Sequence, residues 1–132
     1  MSRRRLPATV ALVVWTLLVW TTRIGNIWGD ADLTDGEKWA RTALAVSFTV
    51  LAAGAAVALW RQTSWRTIAV RALAGWTIAV WVVRAVGIAM GDHEAAFIAV
   101  HLALAAVSIA LSALAVREEA RLVPSATDPG LA

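Results

Sequence analysis

The chain has 132 residues, 60% of them hydrophobic and only 16% charged, with no cysteine and a formal net charge of +3. That is room for one domain, and a composition this apolar excludes an ordinary soluble globule and a disordered chain. Without cysteine there is no disulfide, thiolate metal site or cysteine nucleophile. The basic residues follow the topology rather than forming a patch on a folded face, so nucleic acid is not expected as a partner.

Residues 1–6 read as a basic leader carrying Arg3, Arg4 and Arg5. Four apolar stretches follow, at about 7–27, 40–60, 67–90 and 95–116. Each is long enough to cross a bilayer, because about 20 helical residues at about 1.5 Å each match its hydrocarbon core. Pro7 suits the first helical position, and Gly29 and Gly91 are placed where left-handed caps would end the first and third spans. Thr34 with Glu37 fits a capping box and starts the second helix, while Asp92 reads as the N-cap of the fourth. The fourth helix should run on through Arg117 and Arg121 until Pro124 stops it, leaving 123–132 as a disordered tail.

The leader and first span also have the order of a signal peptide. A second copy of the same pattern, inside the chain, argues for retention instead. Residues 15–23, WTLLVWTTR, and 76–84, WTIAVWVVR, share Trp, Thr, Val, Trp and Arg at matching places. Each copy then runs into a Gly-Asp pair, Gly29-Asp30 and Gly91-Asp92, and a further apolar stretch. The expected fold is therefore all-α, an integral membrane four-helix bundle built from two tandem helical hairpins. Its pseudo-two-fold axis would lie along the membrane normal, as in parallel-repeat membrane proteins. Short connections make successive helices antiparallel neighbours. Ala43, Ser47, Gly54 and Ala58 form a small face on the second helix suited to close packing in lipid.

Charge asymmetry sets the orientation. Arginines flank the leader, the inner connection (Arg61, Arg66, Arg71) and the last helix end, whereas acids gather in the first and third connections. Because Lys and Arg are retained in the cytoplasm, both termini should be cytoplasmic and the acidic connections outside. A single lysine, abundant alanine and no tyrosine suggest a GC-rich bacterial genome and hence a multi-pass protein of the bacterial inner membrane.

Arg23 and Arg84 stand at equivalent places, about two turns inside the outer ends of their spans, each near Trp20 or Trp81. Two such cations could hold an anion, a phosphate or carboxylate head group, or an acidic partner. Snorkelling to the interface beside tryptophans accounts for the same residues and is the preferred reading. His101 lies on a stripe with Glu94, Phe97, Ala105, Ser108 and Ser112 that should face the bundle interior. It suits a proton relay, a haem ligand or a head-group contact, or more simply a helix-to-helix hydrogen bond. Asp30, Asp32, Asp35 and Glu37 could fold over the arginine pair as a flap supplying counter-charge. Lys38 and Arg41 read as interfacial residues that offset these acids.

No catalytic motif is present, no metal site is expected, and no cofactor is implied, although a haem or a quinone could be accommodated. The preferred function is a non-catalytic accessory protein binding lipid, other membrane proteins or copies of itself. A small anion or organic-acid transporter using Arg23, Arg84 and His101 is the first alternative, and a haem- or quinone-binding redox protein the second.

Overall fold

A computed structural model describes residues 6–122, so residues 1–5 of the leader and the tail at 123–132 lie outside it. Four α-helices follow one another: α1 (Pro7–Gly29), α2 (Asp35–Arg61), α3 (Arg66–Met90) and α4 (Ala95–Leu122). All four are long and apolar enough to span a membrane, and no strand occurs among the described residues. Each helix packs on the next and α4 returns to α1, which closes an up-down four-helix bundle.

Local signals fix most helix ends. The Thr34 hydroxyl accepts the Glu37 N–H at 3.3 Å, and the Glu37 carboxylate accepts the Thr34 N–H at 2.9 Å, so a reciprocal cap starts α2 at Asp35, earlier than the hydropathy alone suggested. Two glycines behave differently from expectation. Gly29 is the last helical residue of α1, and Gly91 caps α3 with an ordinary extended backbone (φ −91°, ψ 163°). The left-handed cap is Gln62 (φ 51°), at the end of α2. Gly91 is still suited to glycine, because a Cβ there would lie 3.0 Å from His93 Nε2 and 3.1 Å from the Gly87 carbonyl. Nor is Asp92 the cap of α4: the Ile98 N–H bonds the carbonyl of Glu94, two residues later, and the helix begins at Ala95.

The core has two layers. One joins Leu12, Val13, Ala52, Ala55, Val70, Leu73, Ala74 and Ala115; the other joins Trp20, Ala45, Phe48, Trp81 and Ala105. Trp20 stacks on Phe48 at 4.0 Å between centroids and meets Trp81 at 6.0 Å. This stack sets the rotation of α2, which buries Ala45, Phe48, Ala52, Ala55 and Ala58. The small face expected of α2 is accordingly only partly used, with Ala58 buried and Ala43 exposed.

Buried positions recur between the hairpins. Thr9, Leu12, Val13, Thr16, Trp20 and Ile27 of α1 match Val70, Leu73, Ala74, Thr77, Trp81 and Ile88 of α3, each 61 positions later. Two hydrogen bonds between hairpins are reciprocal in the same way. The Trp15 indole donates to Ser108 Oγ at 2.9 Å, and the Trp76 indole donates to Ser47 Oγ at 3.0 Å, so the α1–α4 contact is mirrored by an α3–α2 contact. Trp15→Phe and Trp76→Phe are each expected to lower stability by about 0.5–1.5 kcal/mol, and by similar amounts, in detergent unfolding followed by circular dichroism.

The far end of the bundle is tied by adjacent carboxylates of α4. Glu118 accepts the N–H groups of Ala8 and Thr9, at 2.7 and 2.9 Å, and so caps α1. The fully buried Glu119 instead takes the Thr67 hydroxyl at 3.1 Å and the Arg66 guanidinium at 3.2 Å, at the start of α3. One short segment of α4 thereby fixes the entry of both odd-numbered helices.

Candidate anion-binding site

At the end of the bundle where the α1–α2 and α3–α4 connections lie, the helices border an open cavity of about 490 Å³. Arg23, Arg41, Arg84 and His101 all line it, one from each helix. Each stands six residues from the helix end nearest the connections: Gly29 for α1, Asp35 for α2, Met90 for α3 and Ala95 for α4. At about 1.5 Å per residue the four groups therefore share one level, about 9 Å below the helix ends. Asn26 and Gly87, and Ile27 and Ile88, complete the matching walls of α1 and α3.

None of the three arginines makes an ion pair among the described residues. Nε of Arg84 is buried and without a hydrogen-bond partner. The Arg23 guanidinium lies 5.9 Å from the Trp20 ring centroid, a range in which the indole face attracts a cation. Arg23 and Arg84 are half-buried and Arg41 is exposed, so solvent screens part of the repulsion among these unpaired cations, and an anion between them would offset the rest.

The cavity also has acceptors. Asp30, half-buried, lines it, with Oδ1 accepting the N–H of Asp32 at 2.9 Å. His101 Nδ1 stands 2.8 Å from the Phe97 carbonyl oxygen. A carbonyl only accepts, so the hydrogen is on Nδ1, and in the neutral form of the ring Nε2 is then an acceptor. The wall is completed by a ladder of rings on α4 and the turn before it, with His93 and Phe97 at 4.8 Å and Phe97 and His101 at 3.9 Å.

Arg23, Arg84, His101 and Asp30 thus line one cavity. Trp20 and Trp81 do not join them as lining residues: both are buried one turn deeper, where Trp20 stacks on Phe48 and meets Trp81. Asp32, Asp35 and Glu37 stay out of the cavity, the last because its carboxylate is engaged by Thr34. Arg41 was read as an interfacial residue, and its part in the ring was missed. The signal available was its distance from the start of α2, which equals that of His101 from the start of α4. His93 is also brought to the cavity, but the Phe97 ring lies between the two imidazoles, so they do not bracket one haem iron. Among the described residues no cluster of three metal-ligating side chains occurs.

Fold and site together define a bundle of four apolar helices, each long enough to span a membrane, with a basic vestibule at one end and a buried aromatic layer deeper in the bundle. The chain matches no protein-family model, no curated protein and no solved structure.

Proposed function

We propose that the protein is a non-catalytic binder of an anionic group, sitting in a bacterial inner membrane with both termini in the cytoplasm and the vestibule facing out. The observation that carries this reading is the ring of Arg23, Arg41 and Arg84, brought from three helices to one cavity with no ion pair. Arginines that merely anchored the bundle at the interface would project outward among lipids, whereas these share a concave space. The acidic connections around the mouth and the arginines near the other end support the orientation. The matched buried sets and the reciprocal Trp15–Ser108 and Trp76–Ser47 bonds support a duplicated hairpin, with its pseudo-two-fold along the bundle axis.

The buried aromatic layer of Trp20, Phe48 and Trp81 deeper in the bundle favours binding over conduction. Transport would require that layer to part. The test is titration of the purified protein, in phosphatidylcholine nanodiscs, with phosphate, sulfate, succinate and chloride. Saturable binding of at least one divalent anion is expected. Arg23→Gln should weaken it roughly ten- to hundredfold, the worth of one hydrogen bond to a charged group. Val83→Ala, at a residue 71% exposed on the lipid side, should leave it unchanged. Equal binding by both variants would end the proposal, and flux in liposomes would move it to transport.

A further inference from the structure

Asp30 is the one lining residue that a general anion site has no use for. Its carboxylate shares the cavity with Arg23, Arg41 and Arg84 but forms no ion pair with any of them. Oδ1 is held by the N–H of Asp32, which keeps the group in its turn, and no hydrogen bond reaches Oδ2 among the described residues. A carboxylate can only accept hydrogen bonds, and Nε2 of His101, which lines the same cavity, is a second acceptor when the ring is neutral. Beside a fully deprotonated anion these acceptors are repulsive. Beside an anion that still carries a hydrogen they become partners, and acceptors placed in this way reject the analogue that lacks one.

Charge narrows the choice further. Three guanidiniums and one carboxylate leave two positive charges in the wall for a ligand to balance. Near neutral pH, hydrogen phosphate offers two negative charges together with one O–H donor. Sulfate has the same shape and charge and no hydrogen. Resting on the anion-binding reading above, we infer that the vestibule selects a phosphate group that retains a hydrogen, with Arg23, Arg41 and Arg84 on its charged oxygens and Asp30 accepting its O–H. The group can come from free hydrogen phosphate, which balances both charges, or from the monoester headgroup of phosphatidic acid, whose singly protonated form keeps the O–H and balances one of them.

Competition between phosphate and sulfate on the full-length protein in phosphatidylcholine nanodiscs tests this directly. The wild type should favour phosphate by about tenfold or more, the worth of one satisfied against one unsatisfied charged acceptor. Asp30→Asn replaces one acceptor oxygen with an amide donor, so it should strengthen sulfate, weaken phosphate and bring the two within about twofold. Because the readout is a ratio within one sample, a partly unfolded preparation does not imitate it. Nanodiscs doped with phosphatidic acid separate the sources: displacement of phosphate assigns the group to the lipid, and undiminished phosphate binding assigns it to the free ion. Equal affinity of the wild type for phosphate and sulfate, or an unchanged ratio in Asp30→Asn, would overturn the inference while leaving an anion site in place. Binding of neither ion by the wild type would remove the anion-binding reading itself.

Discussion

Arg84→Gln is expected to make the ligand-free bundle more stable while weakening anion binding roughly ten- to hundredfold. Arg84 shares the vestibule with Arg23 and Arg41, forms no ion pair among the described residues, and leaves Nε buried without a partner. Removing it relieves repulsion and the desolvation of an uncompensated charge. The neutral amide occupies nearly the same space. A rise in melting temperature of the ligand-free protein, with loss of the stabilisation that added phosphate gives the wild type, is the expected pair of readings. A cation held for binding should show this opposition of stability and function, because strain kept at a site is released when the site is disabled. An arginine acting as a structural anchor would instead destabilise the bundle when replaced.

Glu119→Ala should be among the most damaging single substitutions at the opposite end. Glu119 is fully buried, and it accepts from Thr67 while facing Arg66 at 3.2 Å. Losing one member of a buried pair leaves the other charged and unpaired, at about 3–5 kcal/mol where both are sealed from water. Arg66 keeps 26% of its side-chain surface, so part of that penalty is recovered by solvation and about 2–3 kcal/mol is expected. Glu119→Gln, which retains an acceptor for Thr67, should fall between the alanine variant and the wild type. Denaturant titration in detergent micelles measures both. The neighbouring Glu118 serves α1 rather than α3, so the double variant should lose the contribution of each almost additively.

Anion binding and the Glu119 tie act at opposite ends of the same helices, which separates the two experiments. A variant at Glu119 that lowers melting temperature without changing the ratio of phosphate to sulfate affinity would show that the vestibule keeps its geometry. Selectivity is then a property of the side chains at one level, not of overall rigidity.

The four apolar helices were legible in the residues alone, because span length and the Pro7 and Thr34–Glu37 signals are local properties. So was the equivalence of Arg23 with Arg84, which needs only a pattern repeated along the chain. The tertiary structure decided what a single helix does not contain: which face each helix turns inward and what meets across the bundle. Stacking on Phe48 placed Trp20 in the core, and Trp81 packs there against Trp20, so neither lines the cavity. Glu37 was held by its own cap and took no part in a flap, whereas Asp30, at the end of α1, came to the cavity. Arg41 joined the ring because antiparallel packing sets six residues into α2 level with six residues from the end of α1. Repetition along the chain identified one pair of cations, and only the closing of four helices into a ring set them beside a third cation and a carboxylate.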